Sequence, residues 1–203
     1  MKSNSTEIAE DRILRMVDIS EIQQLQHRYQ QWLSLLNYEK IMELFAKDDK
    51  KPTAFGKDPK GFFQYYTTLK NVPGFLVEHH AICPVIEVAK DRKTAKGTWL
   101  SPGIILMGPV DEQAWAWGKY TNDYIREDGE WKIWHLLWVL TFMSDMKKGP
   151  LAEQESKMFE KSTAKGLYKS QAVPSERIRK LYSPDEVNYF IPEPPEPYNT
   201  WDA

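Results

Sequence analysis

The chain has 203 residues, of which 41% are hydrophobic and 28% charged, and its formal net charge at pH 7 is -2. This length suits one globular domain with an appendage better than two domains. Acidic and basic residues are mixed without a basic block, which argues against a nucleic-acid or anionic-membrane partner. One cysteine, no apolar leader and no membrane-length stretch predict a cytoplasmic protein without an intramolecular disulfide.

The N-terminal part predicts three helices after a polar lead-in over residues 1–17. Ser20-Glu21-Ile22-Gln23 is typical of a capping box, so Ser20 is the expected N-cap of the first helix. Behind it, apolar side chains recur at spacings of three and four, as in an amphipathic helix: Ile22, Leu25, Tyr29, Trp32 and Leu36. A short second helix begins near Tyr38, and Asp58-Pro59 marks the start of a third.

The next part of the chain changes to strand-forming residues. Four long strands are predicted from their Val, Ile, Trp, Tyr and Thr content: 76–89, 94–107, 113–126 and 131–143. Short breakers separate them, and the last one contains the hairpin dipeptide Asp128-Gly129. Helices followed by an antiparallel meander predict an α+β fold in which the helices cover one sheet face. We assign residues 18–146 to this folded domain.

Residues 147–203 form a predicted C-terminal extension, a mostly polar helix followed by an arm rich in proline and aromatic residues. Proline keeps this arm from being a helix or a central strand. Its tyrosine and tryptophan side chains would gain free energy by docking on a protein surface. The arm therefore lies on its own domain or on a neighbouring subunit, and we expect a dimer or trimer with the arm at the interface.

Two segments of the strand region resemble proteins of the SnoaL-like family, within the nuclear transport factor 2-like superfamily. Residues 78–88 and 94–97, Glu-His-His-Ala-Ile-Cys-Pro-Val-Ile-Glu-Val and Thr-Ala-Lys-Gly, are similar to its histidine-containing strand and the following hairpin. Residues 120–124 and 126–133, Tyr-Thr-Asn-Asp-Tyr and Arg-Glu-Asp-Gly-Glu-Trp-Lys-Ile, are similar to its last hairpin. The resemblance, over roughly residues 19–142, implies a cone-shaped curved antiparallel sheet packed against three N-terminal helices around an internal pocket.

The resemblance does not fix the activity. The superfamily includes scytalone dehydratase-like, dehydrochlorinase-like and ketosteroid isomerase-like branches together with non-catalytic binding proteins, and a shared fold does not determine function.

His79 is the leading catalytic candidate, because the resemblance places it where the dehydratase-like and dehydrochlorinase-like branches carry a catalytic histidine. A histidine in a mostly apolar pocket can take and return a proton near neutral pH. The alternative is a histidine hydrogen-bonded within the sheet. The neighbouring His80 points to the opposite strand face and is expected at the surface or at an interface. The resemblance also implies an orienting carboxylate on the first helix, but the corresponding residue is Ser34.

Tyr29 is the second catalytic candidate, since it lies on the buried stripe of the first helix and matches a pocket tyrosine of related dehydratases and isomerases. Its hydroxyl could donate a hydrogen bond to a carbonyl or developing oxyanion, or its ring could simply pack in the core.

The expected substrate-binding residues all lie on predicted strands: Trp99, Ser101, Tyr120, Asn122, Tyr124 and His135. Trp115 and Trp117 lie on the opposite face of the strand that carries three of them, so only one of the two sets faces the pocket. His135 stands in a very apolar run, where burial requires a hydrogen bond. It is therefore either a satisfied core group or a second pocket histidine.

These patterns favour a cofactor-independent lyase or isomerase in which His79 removes a proton next to a carbonyl or hydroxyl-bearing carbon. Tyr29, with help from the strand of Asn122, would hold the oxygen on which charge develops. An aromatic-rich cone favours a flat apolar substrate of aromatic, polycyclic or steroid-like character. The alternative is a non-catalytic small-molecule-binding or assembly protein that uses the same cone. No metal-ligand spacing, phosphate loop or dinucleotide fingerprint is present, so we expect neither a metal nor a cofactor.

Overall fold

The computed structural model describes residues 4–64, 66–166, 181–187 and 191–201. Within these residues the chain forms four α-helices: α1 Asn4–Ser34, α2 Tyr38–Met42, α3 Pro59–Gln64 and α4 Met158–Ala164. It also forms six strands: β1 Thr53–Ala54, β2 Phe75–His79, β3 Ile82–Val88, β4 Thr94–Met107, β5 Glu112–Glu127 and β6 Glu130–Asp145. Among the described helices, none has both the length and the apolar character that a membrane crossing requires.

The first helix begins earlier than the capping box predicts, because α1 runs from Asn4 and places Ser20 in its interior. A tertiary contact explains the difference. Arg15 Nη1 donates a hydrogen bond of 2.6 Å to the carbonyl of Val88 and so ties the predicted lead-in to β3. The division into a lead-in, a domain over 18–146 and an extension stays a prediction.

The six strands form one curved sheet in the order β1-β6-β5-β4-β2, with β3 paired to β4 as well. All pairs are antiparallel except that of β1 with β6. The predicted α+β class is confirmed, and the two-residue strand β1 makes the sheet mixed. The predicted strand 76–89 is interrupted after His79, so that β2 and β3 pair with different parts of β4.

Helix α1 covers the concave face of this sheet. Ile22, Leu25 and Tyr29 of α1 are buried in a core cluster together with side chains of α2, α3 and the strands. Asp58 Oδ2 accepts a hydrogen bond of 2.8 Å from the amide of Gly61, which caps α3 at its predicted start. The chain therefore closes the concave face with helices and leaves the opposite, outer face of the sheet for other contacts.

The last described segment of the C-terminal extension packs on this outer face. The amide of Lys90 donates to the carbonyl of Tyr198 at 3.2 Å. Lys96 Nζ lies 5.0 Å from the ring centroid of Tyr198 and 4.8 Å from that of Trp201, in cation–π geometry. These residues of the arm therefore dock on their own domain, while self-association stays a prediction.

Candidate functional site

The concave face of the sheet carries most of the residues that the sequence predicts for a site. Seven of the eight candidates are less than a tenth exposed: Tyr29, His79, Trp99, Ser101, Tyr120, Asn122 and Tyr124. Trp115 and Trp117 lie on the outer face with 44% and 41% of their surface exposed. Strand alternation therefore turns the tyrosine and asparagine set inward and the tryptophan pair outward.

His135 does not join the other candidates, because a β-bulge reverses the alternation in β6. Asp123 pairs with His135 and Tyr124 pairs with Ile133, which leaves Trp134 as an extra residue. The His135 ring then lies on the outer face, where Nδ1 is 3.0 Å from Asp123 Oδ2 and the ring stacks on Trp134. The structure thus differs from the prediction that His135 lines the pocket.

Three of the buried candidates belong to a hydrogen-bond network around the side-chain oxygen of Gln26 of α1. Asn122 Nδ2 and the Tyr124 hydroxyl each donate to Gln26 Oε1 at 2.8 Å. Trp99 Nε1 donates to the Tyr124 hydroxyl at 3.1 Å, and Asn122 Oδ1 accepts from the amide of Leu137 at 3.2 Å. These bonds hold α1 on the sheet, and they leave Gln26 Nε2 as the buried atom of this network without a partner among the described residues.

A second set of polar side chains surrounds Tyr120, and several of their atoms lack a hydrogen-bond partner among the described residues. The rings of Tyr29 and Tyr120 meet edge-on with centroids 5.9 Å apart. Burial raises the pKa of Tyr120, although its neighbours Gln30, Tyr29 and Ser101 act in the opposite direction. Burial also raises the pKa of Tyr29 well above its usual value. Both phenols therefore remain protonated at neutral pH and can act as hydrogen-bond donors.

Gln30 and Ser101 lie near enough to Tyr120 to lower the pKa of its hydroxyl. Both amide atoms of Gln30 and the Ser101 hydroxyl are buried and have no hydrogen-bond partner among the described residues. Such groups are uncommon in folded proteins, where most buried polar atoms are paired. They mark this part of the interior as the place where a bound molecule would gain hydrogen bonds.

His79 ends β2 on the same face, where it pairs with Gly103 of β4 and is 8% exposed. A Cβ at Gly103 would lie 2.2 Å from the Glu78 carbonyl oxygen, so the close approach of the two strands requires glycine. The imidazole meets the indole of Trp138 edge-on with centroids 4.8 Å apart. Nothing in the described part of the chain forms a hydrogen bond with His79 Nδ1.

The imidazole is neutral at pH 7. Burial, with a smaller contribution from His80, lowers the pKa of His79 to about 4. A neutral imidazole with an open nitrogen can accept a hydrogen bond or a proton from a ligand.

No described carboxylate takes the orienting role that the resemblance implies. Ser34 is the last residue of α1 and is exposed. Asp48, which follows α2 along the chain, pairs with Lys60 at 2.8 Å on the surface. His80 is exposed, as its position on the strand predicts.

Two residues of this interior, Gln30 and Trp138, are not among those that the sequence predicts for a site. Trp138 Nε1 is buried and lacks a hydrogen-bond partner within the described ranges. The indole lies directly over Gly118, where a Cβ would come within 2.6 Å of Trp138 Cε2. A glycine inside a strand signals the close approach of another group. Gly118 is therefore the sequence feature that could have pointed to a large side chain such as Trp138. For Gln30 the only such feature is its position next to Tyr29 in the sequence.

Comparison with known proteins agrees with this architecture. The model of the SnoaL-like domain matches residues 15–136. A candidate scytalone dehydratase from Novosphingobium aromaticivorans superposes with a TM-score of 0.57 at 17% identity, covering 64% of this chain and 89% of its own. The type 3 LinA hexachlorocyclohexane dehydrochlorinase from Novosphingobium barchaimii gives 0.54 at 16% identity, covering 65% and 92%. Identities this low show a shared fold alone, and no curated protein matches the sequence significantly.

Proposed function

Because the chain belongs to the SnoaL-like domain family, we propose that it is a cofactor-independent lyase or isomerase of the dehydratase type, acting on a small organic molecule. One observation carries the proposal: a buried, neutral histidine with an unpaired Nδ1 faces the same interior as two protonated phenols. That combination offers a proton acceptor and hydrogen-bond donors in an environment from which water is largely excluded.

In the proposed reaction, His79 accepts a proton from a carbon next to a carbonyl or hydroxyl-bearing carbon. The hydroxyl of Tyr29 or Tyr120 donates a hydrogen bond to the oxygen on which negative charge develops. In a dehydration, the imidazolium then protonates the departing hydroxyl, which leaves as water. In an isomerisation it returns the proton to a different carbon, so neither reaction consumes a proton overall.

A histidine whose pKa lies at about 4 is a weak base in the free protein. Negative charge that develops on a substrate beside the ring would raise the pKa of His79 during the reaction, because an opposite charge favours the protonated form. A substrate with an acidified C–H bond therefore fits this site best. The aromatic side chains of Tyr29, Tyr120 and Trp138 favour a flat, apolar, aromatic or polycyclic molecule.

A second candidate function is non-catalytic binding of such a molecule in the same interior. The exposed Ser34 favours it, since no described carboxylate stabilises a protonated His79. Under this alternative the unpaired polar atoms hold the ligand, and no proton is transferred.

Hydrogen–deuterium exchange into a model ketone separates the two functions. The protein is incubated with 2-tetralone in deuterium oxide, and loss of the proton signals next to the carbonyl is followed by NMR against a buffer blank. The proposal expects exchange faster than the blank, its loss in His79→Asn, and a reduced rate in Tyr29→Phe. Trp117→Phe, which changes an exposed side chain of the outer face, is the control. Binding without accelerated exchange would favour the non-catalytic function.

A further inference from the structure

We infer that Gln30 and Trp138 bind the ligand directly, and that this ligand is an uncharged aromatic molecule with a carbonyl or hydroxyl oxygen. The inference rests on the proposed function for the location of the site, and it adds two contact residues and a charge class.

The unpaired polar groups belong to side chains that neighbour one another in the interior. Gln30 touches Tyr120, Tyr120 pairs across the strands with Trp138, and the Trp138 ring meets His79. A buried polar group without a partner costs about 1–3 kcal/mol. In the neighbouring network, Asn122 and Tyr124 are paired with Gln26 Oε1 on the same sheet face, and Gln26 Nε2 is the one buried atom of that network left unpaired among the described residues. The unpaired polar atoms of Gln30, His79 and Trp138 are therefore best explained by a bound molecule that forms hydrogen bonds with them.

The chemistry of these groups specifies oxygen on the ligand. An indole N–H can only donate, so Trp138 requires an acceptor. The Gln30 amide can donate and accept, so it pairs with a carbonyl or with a hydroxyl. Trp138 is held between the His79 ring and the bare backbone of Gly118, which fixes the direction of its N–H.

The surroundings argue for a ligand without charge. The side chains that act on the buried groups of Tyr29, Tyr120 and His79 are tyrosines, Gln30, Ser101 and His80, with no Lys, Arg, Asp or Glu from the described part of the chain among them. The buried carboxylate of Asp18 is already paired with Arg92 and Arg126. Burial of an ion without an opposite charge is strongly unfavourable, so an anionic aromatic ligand is disfavoured here.

Three naphthalene probes of similar shape test the inference by isothermal titration calorimetry at pH 7.5. The ketone 2-acetylnaphthalene offers an acceptor without charge, 2-naphthoate is an anion, and 2-ethylnaphthalene has no oxygen. We expect the ketone to bind at least about tenfold more tightly than the naphthoate, because a buried unpaired charge costs more than one hydrogen bond contributes.

Two substitutions assign the contacts. Gln30→Leu keeps the bulk of the side chain and Trp138→Phe keeps an aromatic ring, while both remove the polar atoms, so each should weaken ketone binding about three- to tenfold. Binding of 2-ethylnaphthalene should weaken less than that of the ketone in both variants, because the hydrocarbon loses no hydrogen bond. Trp117→Phe on the outer face is the matched control and should change none of the affinities. Urea unfolding of each variant verifies that it is folded.

The inference is overturned if the naphthoate binds as tightly as the ketone, if the ketone does not bind, or if both variants weaken the ketone and the hydrocarbon equally. The exchange assay reports separately on the proposed function. Exchange that depends on His79 but not on Gln30 or Trp138 refutes only the inference. The expected binding pattern without exchange refutes only the catalysis.

Discussion

Acidification should destabilise the protein through His79. Because the pKa of this group is lowered from 6.5 to about 4 in the folded chain, the unfolded chain binds the proton more tightly. The contribution of this lowered pKa to the free energy of unfolding is fully present above pH 6.5 and is lost as the pH falls toward 4. The full difference corresponds to about 3 kcal/mol, of which about 2 kcal/mol is lost between roughly pH 7.5 and pH 5.

Urea unfolding at these two pH values measures the effect. His79→Leu removes the titrating group and leaves an apolar side chain in its place, so the variant should lose about 2 kcal/mol less than the natural protein on acidification. Absolute stabilities will differ because the substitution also changes packing, and only the change with pH is compared. Trp117→Phe, at an exposed position on the outer face, should retain the pH dependence of the natural protein.

Equal losses in the natural protein and in His79→Leu would refute the reasoning. That result would mean that the imidazole is hydrated or paired in solution and titrates alike in the folded and unfolded chains. The interior on which the proposed function depends would then be wet, and the argument for an uncharged ligand would fail with it.

Three further predictions concern the scaffold around the site. Tyr124→Phe opens the network with Gln26 and should lower the free energy of unfolding by about 1–3 kcal/mol without changing the affinity for 2-acetylnaphthalene; a weaker affinity would show that Tyr124 binds the ligand. Asp18→Asn leaves Arg92 and Arg126 without their shared buried carboxylate, so thermal unfolding should show a loss of about 3 kcal/mol, whereas an unchanged midpoint would contradict an anchoring role for this cluster. If the exposed aromatic outer face mediates self-association, Trp117→Lys should lower the mass found by sedimentation equilibrium, and a natural protein that is already monomeric would exclude that interface.

The strands could be predicted from the sequence because their signals are local. Thr, Trp and Ile recur along β4, and chain breakers lie at both of its ends, so its bounds, Thr94–Met107, coincide with the predicted ones. The start of α1 could not be predicted in the same way. The part of α1 before Ser20 is tied to β3 by a contact of Arg15 with Val88, 73 residues away along the chain, and a capping pattern carries no information about that contact.

Strict alternation also predicts that Tyr120, Asn122 and Tyr124 share one face of β5, but it does not tell whether this face or that of Trp115 and Trp117 is turned inward. Alternation cannot predict the bulge at Trp134. Because of this bulge, His135 lies on the outer face of the sheet and does not line the pocket. The roles of the inward residues depend on cross-strand register. Only the pairing of β5 with β6 brings Trp138 over Gly118 and next to His79.

The missing carboxylate and the lowered pKa of His79 lead to one constraint on the chemistry. A histidine with a carboxylate partner is stabilised in its protonated form before any substrate binds. Here the proton would move onto an imidazole that burial keeps neutral, and no carboxylate from the described residues stabilises the resulting cation. The stabilising negative charge then has to come from the substrate itself, as its oxygen gains charge against the phenols of Tyr29 and Tyr120. Proton transfer to His79 and the development of negative charge on the substrate oxygen are thus coupled. A ligand that develops no negative charge would bind beside the same residues and leave His79 neutral.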